Sequence, residues 1–417
     1  MSRALSVWWD RAIVGILRVD QHGDMTFVYG SEWLADSSRP ALSISLPKRP
    51  EPFKRRECRP FFAGLLPEEA QLEAVARALG ISKRNDFGLL EALGGDVAGA
   101  LSLWPEGEAP PPADAAGHAK PLDDGDIAEL LDTLPKRPLL AGQEGLRLSL
   151  AGAQSKLPVV LVDGKIALPA AGQPTTHILK PPITHFPTTT ENEALVMRLA
   201  AALELTVAPV EARTTAGRPY LLVTRYDRRL DESGLVRRLH QEDFCQALGI
   251  PPESKYADEG GPIFKTSFDL LRRASTRPAV EVLKFLDAAI FNMMVGNSDA
   301  HGKNFSLLYE GAEVRLAPLY DLLCTIAYAN LSPRFAMKIA KRATLEEIGN
   351  STWSAFAADV GVGAPFIRRR VRALADSAQK SVFRVVDQMA EAGLDRDALT
   401  KYASLVDLRA TRLAKTV

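Results

Sequence analysis

The chain has 417 residues, 46% of them hydrophobic and 24% charged, ordinary values for a globular protein of two or three structural units. Lys plus Arg and Asp plus Glu each total 51, so a net charge of zero gives no general electrostatic grip on nucleic acid. Cys58, Cys245 and Cys324 lie far apart without metal-ligand spacing, which argues against structural zinc and for a reduced, cytoplasmic protein.

The first residues, "MSRALSVWWDRAIVGILRV", have no long apolar core and no cleavage site, and no apolar run approaches ~18 residues, so no membrane span is expected. Residues 1–104 read as a mixed subdomain. In "AIVGILRVDQHGDMTFVYG" apolar and polar residues alternate around the turn "DQHGD", a hairpin pattern. "PEEAQLEAVARALG" has helical spacing and Gly80 as a C-cap, and "FGLLEALGGDVAGALSLW" reads as helix, glycine turn and strand. Residues 105–121, "PEGEAPPPADAAGHAKP", show no periodicity and read as a linker or long loop.

Residues 122–228 read as strands with one helix. "KLPVVLVDGKIAL" is two apolar runs joined by Asp163-Gly164, "THILKPP" is a strand stopped by Pro181, "ENEALVMRLAAALEL" is a helix with one apolar face, and "PYLLVTRYDR" is an apolar strand. Residues 229–417 read as helical, with "VEVLKFLDAAIFNMMVG", "TWSAFAADVG", "PFIRRRVRALADSAQKSVFRVVDQMAEAG" and "DLRATRLAK" as segments. A strand-rich part thus precedes a helical part.

One loop concentrates chemistry. In "GNSDAHGKNFSLL", Asn304 follows Asp299 by five positions, the spacing of the Asp and Asn in a protein-kinase catalytic loop. Phosphoryl transfer asks little of a protein beyond positioning and charge neutralisation: a carboxylate base, oxygen ligands for Mg²⁺, a strand lysine, and a small-residue loop over the phosphates. Asp299 fits the base, Asn304 and Asp321 the metal ligands, and Lys180 at the end of "HILK" the strand lysine, with Glu193 as a possible partner on the next helix. Ser149–Lys156, "SLAGAQSK", supplies Ala151, Gly152, Ala153, Gln154, Ser155 and Lys156 as a nucleotide loop. Thr224, Arg225 and Tyr226 end a strand where backbone groups would read adenine. Each feature has a plain alternative. Asp-x₄-Asn also occurs as an Asx-turn, a one-glycine loop as a surface turn, Lys180 as a solvated strand end, Glu193 as an exposed helix residue, and His301 as a capping or packing residue. The order of the parts along the chain favours the phosphotransfer reading. The basic runs at 48–59 and 368–372 read as solvated faces.

The segments "FFAGLLPE", "LAGAQSK", "PTTHILKPP", "ENE", "RYDRR", "QEDFCQALGIPPESKY", "GNSDAHGKNFSLL" and "LAPLYDLL" resemble the HipA family of bacterial serine/threonine-protein kinases, toxins of type II toxin–antitoxin modules. The resemblance implies an α+β, two-lobe, protein-kinase-like fold, with an extra N-terminal subdomain, a β-rich N-terminal lobe and a mostly helical C-terminal lobe. It implies ATP and Mg²⁺ as cofactors, a HipB-like DNA-binding antitoxin through which alone operator DNA is bound, and a protein substrate of the aminoacyl-tRNA synthetase class, such as glutamyl-tRNA synthetase. On this chain it makes Asp299 the catalytic base, Asn304 and Asp321 the Mg²⁺ ligands, Lys180 a phosphate contact, and Gln241, His301, Lys303 and Tyr320 nucleotide-site residues. Ser149 takes the place of an autophosphorylated serine whose modification shuts the kinase off, and growth arrest or persistence is the expected consequence of activity. Ser155 departs from the acidic residue frequent in the family. Two other classes remain open: a small-molecule phosphotransferase of kinase-like fold, and a non-enzymatic nucleotide-binding corepressor scaffold.

Overall fold

The computed structural model describes residues 3–111, 119–232 and 234–417; the middle of the expected 105–121 linker, residues 112–118, lies outside them. The chain divides into two compact units, Met1–Ile183 with Arg213–Glu253 and Leu308–Glu310, and Thr184–Ala212 with Ser254–Leu307 and Gly311–Val417. These units cut the chain elsewhere than at residue 228: the stretch 213–253 belongs with the first unit.

The first unit opens with strands β1 (Arg3–Trp9), β2 (Ala12–Val19) and β3 (Met25–Tyr29), followed by a short helix α1 (Ser31–Ala35), β4 (Phe53–Lys54) and helices α2 (Arg55–Ala63), α3 (Glu69–Leu79) and α4 (Asp86–Leu93). Strand β5 (Leu101–Pro105) completes an antiparallel sheet in the order β4-β3-β2-β1-β5. The expected hairpin is β2–β3, and its turn is tied by Asp20, whose carboxylate accepts from the amides of His22 (2.8 Å) and Asp24 (2.9 Å). Gly15 is required there, because a Cβ would stand 2.2 Å from the Val28 carbonyl oxygen. Met25, Phe27 and Tyr29 alternate inward and meet Phe53, Phe61 and Phe62 in one core. The "FFAGLLPE" segment is thus the place where α2 seals this sheet.

A second core lies under the next sheet of the same unit. Helix α5 (Asp124–Thr133) sets Ile127, Leu130 and Leu131 against Leu157, Val159, Leu179 and Leu222. Strands β6 (Leu157–Val162) and β7 (Lys165–Ala167) form the hairpin whose turn places Asp163 at φ 51° and Gly164 at φ 77°, as a type I′ turn demands. Strand β8 (His177–Lys180) pairs with β6, so that Leu179 faces Leu157. The chain leaves for the second unit at Thr184, forms helix α6 (Thr189–Ala202) and strand β9 (Val210–Thr215), and re-enters at Arg213. Strand β10 (Arg218–Thr224) then pairs with β8, Leu221 opposite Lys180 and Thr224 opposite His177.

Residues 229–417 are less uniformly helical than the sequence suggests. A hairpin of β11 (Arg228–Leu230) and β12 (Val236–Arg238), strand β13 (His240–Asp243), a short helix α7 (Phe244–Leu248), and strands β14 (Ser306–Glu310) and β15 (Glu313–Leu316) interrupt the pattern. These strands have three to five residues each, too short for periodicity to separate them from loops. The second unit is mostly helical: α6, α8 (Phe264–Ala274), α9 (Pro278–Val295), α10 (Asn350–Val360), α11 (Ala364–Glu391) and α12 (Arg396–Ala414). Helix α6 is not amphipathic as expected. Ten of its fourteen residues are buried, Asn192 and Glu193 among them. Phe264, Phe268, Phe285 and Phe356 form an aromatic cluster that locks α8, α9 and α10 together, with ring centroids 4.9–6.5 Å apart.

Candidate active site

Helix α9 delivers the loop that carries Asp299 and Asn304. Pro278 starts it and Gly296, at φ 72°, ends it in the left-handed conformation that glycine adopts without strain. The turn that follows is an Asx-turn, and Asn297, not Asp299, makes it: the Asn297 Oδ1 accepts from the amide of Asp299 at 3.1 Å. Asn297 is itself fixed, donating to Asn292 Oδ1 at 2.8 Å. The carbonyl of Asp299 accepts from the amide of His301 and from Asn304 Nδ2, both at 2.7 Å. The loop's backbone is therefore satisfied by other residues, and the Asp299 carboxylate stands clear of that bonding with its side chain 54% exposed. The amide nitrogen of Asn304 being spent on the loop, its Oδ1 is the atom that remains to face a cation.

Further residues frame and line this loop. Tyr320 is half-buried and its hydroxyl donates to the Lys303 carbonyl at 2.7 Å and lies 2.8 Å from Ser306 Oγ, so it braces the loop from behind. Asp321 has φ 52°, a conformation that costs a non-glycine residue roughly 1 kcal/mol or more and that clusters at functional positions. Its carbonyl accepts from Asn297 Nδ2 at 3.4 Å, which links the two aspartate-bearing segments of the second unit. His301 and Lys303 are both buried, at 4% and 5% exposure. Tyr256, which no spacing in the sequence singled out, donates its hydroxyl to Asp299 Oδ1 at 2.5 Å across 43 residues of chain.

In the first unit the loop 149–156 is not a surface turn. Ser149 is fully buried; its hydroxyl donates to the Leu65 carbonyl at 2.7 Å and its amide to the Asp96 carbonyl at 3.0 Å. Gly152 has φ 119°, reachable only by glycine, and its carbonyl accepts from the amide of Glu68 at 3.2 Å. Lys156 curls back on the loop and donates to the Ala151 carbonyl at 2.7 Å. Gln154 donates to the Pro181 carbonyl at 3.2 Å and Ser155 to Gln71 Oε1 at 3.1 Å. Ala153 is exposed at the tip. The "FFAGLLPE" segment and the residues just after it thus form the bed on which the loop lies.

Lys180 ends β8 in this unit and is 4% exposed, so it is not a solvated strand end; Glu193 lies in the second unit and is 2% exposed. At Thr224–Tyr226 the three residues have different duties. The amide of Arg225 donates to the Thr176 carbonyl at 3.0 Å inside the sheet. The hydroxyl of Tyr226 donates to Gln241 Oε1, and Gln241 Nε2 donates to Asp227 Oδ2 at 3.3 Å, which brings these two candidates together.

The Arg225 side chain belongs to a buried ion cluster. It grips Asp227 through two bonds of 2.8 and 2.9 Å, and reaches Asp96 at 3.2 Å, Thr175 Oγ1 at 2.8 Å and the Val97 carbonyl at 2.9 Å. Arg228 and Arg238 also pair with Asp96, at 2.9 and 3.2 Å. Burial would push the Asp96 carboxyl up, but Arg228, Arg225 and Arg238 together hold it far below the usual carboxylate range. Burial pulls Arg228 down to about 10, helped by the like charge of Arg225. The segment "RYDRR" holds Asp227, but the second carboxylate, Asp96, lies 129 residues before Arg225 and carried no signal.

Among the described residues no cluster of three or more His, Cys, Asp or Glu is placed to hold a metal, and no helix is long and apolar enough to cross a membrane.

The comparisons with known proteins agree. Residues 5–104 match the HipA N-terminal domain and residues 148–386 the HipA-like C-terminal domain. A Sinorhizobium fredii protein named "Putative kinase Y4mE" is 60% identical over 410 residues, covering 98% of each chain. The serine/threonine-protein kinase toxin HipA of Shewanella oneidensis is 31% identical over 67% of this chain and 66% of its own. A solved structure of Shewanella oneidensis HipA with HipB and operator DNA superposes with a TM-score of 0.86 at 26% identity, over 99% of both chains. The fold is accordingly the expected α+β, kinase-like HipA architecture.

Proposed function

The chain belongs to the HipA family of kinase toxins, and from that membership we propose that it is an ATP-dependent serine/threonine-protein kinase of a HipBA-type module. The observation that carries the reading is Asp299: an exposed carboxylate in a loop whose own hydrogen bonds are satisfied by Asn297, His301 and Asn304. Such a group can accept the proton of an attacking hydroxyl without the loop losing its shape.

Asn304 Oδ1 and the carboxylate of Asp321 are hard oxygen donors, the chemistry Mg²⁺ requires, and too few to hold the ion without phosphate oxygens and water. Bound Mg²⁺ would neutralise charge on the ATP phosphates. Lys180 would pair with a phosphate, the 151–156 segment would offer backbone amides, and Thr224 and Tyr226 would present backbone groups to the base. Gln241, His301 and Lys303 would likewise contact nucleotide, and Tyr320 would act by bracing Lys303. The acceptor is a protein serine or threonine, with an aminoacyl-tRNA synthetase such as glutamyl-tRNA synthetase as the candidate substrate; its phosphorylation would inhibit translation and arrest growth in the cytoplasm. The neutral chain supports contact with operator DNA through a HipB-like antitoxin rather than alone.

The test is transfer of γ-labelled phosphate from Mg·ATP into a cell lysate by the parent chain and by Asp299→Asn. Label in protein, lost in the variant, supports the kinase. Label in small molecules assigns a different phosphotransferase, and no transfer at all leaves a nucleotide-binding scaffold.

A further inference from the structure

The segment before helix α8 does more than connect elements. Lys255 and Tyr256 belong to the second unit, as do all the groups they meet here. The carbonyl of Lys255 accepts from the amide of Gly302 at 3.3 Å, inside the catalytic loop. The ring of Tyr256 stands edge-on to His301, with centroids 5.0 Å apart at 83°. Its hydroxyl donates to Asp299 Oδ1 at 2.5 Å. One residue pair therefore contacts positions 299, 301 and 302 of the same loop. The segment is anchored on its far side too: Asp258 pairs with Lys338 at 2.6 Å and the amide of Ala257 reaches the Ala336 carbonyl at 3.4 Å.

A general base must present one carboxylate oxygen along one direction, and an exposed aspartate side chain turns freely about two bonds. A phenol bonded to Oδ1 removes that freedom and leaves Oδ2 as the oxygen that meets an incoming hydroxyl. We propose that Tyr256 is a positioning residue for phosphoryl transfer, orienting the carboxylate of Asp299 from outside the catalytic loop. It acts through Asp299, not on the nucleotide. The inference rests on the kinase reading above, in which Asp299 is the base.

This role separates binding from chemistry. Tyr256→Phe keeps the ring against His301 and removes only the hydroxyl; Tyr256→Leu removes both. With the purified full chain and γ-labelled Mg·ATP, total label released as inorganic phosphate or transferred to protein gives the turnover rate, and equilibrium titration gives the ATP affinity. Tyr256→Phe should lower the maximal rate roughly 10- to 100-fold, with ATP affinity within twofold of the parent and an unchanged melting temperature. Tyr256→Leu should lose at least as much rate. A rate for Tyr256→Phe within twofold of the parent overturns the inference, and so does a loss of rate matched by an equal loss of ATP affinity or by a clear fall in melting temperature, since either marks a structural role. Asp299→Asn, assayed alongside, separates the two readings: if it keeps the parental rate, the assignment of the base fails and the inference with it, whereas its inactivity combined with a fully active Tyr256→Phe overturns the positioning role alone.

Discussion

The hydroxyl of Ser149 donates to the carbonyl oxygen of Leu65 at 2.7 Å, and Ser149 has no exposed surface. A phosphate cannot be placed on that oxygen while the bond stands. A phosphoserine carries a charge of about −1.5 to −2, and burying it without cations to pair is prohibitive. Modification of Ser149 would therefore require the segment around it to leave its bed on Leu65–Gln71. Once modified the segment could not return. Ser149→Asp should lower ATP affinity more than tenfold, and phosphate mapped to Ser149 after incubation with Mg·ATP should accompany loss of nucleotide binding. Stoichiometric phosphate at Ser149 with unaltered ATP affinity would refute the mechanism.

Asp299 and Asp321 should fail differently. A base contributes chiefly in the transition state, while a metal ligand holds the ground state as well. Asp299→Asn should reduce transfer by about 100-fold or more and leave Mg·ATP affinity nearly intact. Asp321→Asn should weaken Mg·ATP binding too, a loss that titration with ATP in EDTA would not show. Parallel losses of affinity in both variants would contradict the division of labour.

The Asp96 cluster should matter to the stability of the first unit. Removing one member of a buried ion pair leaves the others charged without compensation, a loss of about 3–5 kcal/mol. Asp96→Asn leaves Arg238 without its carboxylate and Arg225 and Arg228 to share Asp227, and the same residue's carbonyl receives the amide of Ser149. Denaturation should show that loss, and amide exchange should quicken at Leu148–Gly152 in the folded variant. Unchanged exchange there would mean that the cluster and the loop are energetically separate.

Burial raises the Glu242 carboxyl from its ordinary 4.5 to about 7, although Ser43, Tyr309 and the amide of Ile44 all donate to it. Between those values the folded chain keeps a proton that the unfolded chain has released, so this residue's contribution to stability falls as pH rises. Burial has the opposite consequence for its neighbour His240, lowered from 6.5 to about 4: its contribution falls as pH drops through that range. The two slopes cancel between pH 4.5 and 6.5. Glu242→Gln removes one of them. The stability of that variant relative to the parent should increase by about 3 kcal/mol from pH 4.5 to 7, read from urea midpoints across the range. A difference that does not vary with pH would show that Glu242 titrates normally.

What the sequence by itself determined is what depends on neighbours along the chain. The β2–β3 and β6–β7 hairpins follow from alternation and from turns such as Asp163-Gly164, and α3 ends at Gly80 because glycine accepts the left-handed cap. The spacing of Asp299 and Asn304 could be read because both lie in one loop, where a single hydrogen bond ties them. Tertiary structure decided what depends on distant partners. Burial around nearly the whole of α6, the short strands after residue 229, the braces on Tyr320 and Asn297, and the Tyr256 hydroxyl on Asp299 arise from contacts that no local period encodes. Arg225 shows the reason most plainly. In the sequence it is one charged residue at a strand end, with nothing to distinguish a nucleotide contact from an internal tie. Burial makes the difference, because a guanidinium taken out of water must find its carboxylates, and the fold supplies Asp227 two residues away and Asp96 from 129 residues earlier.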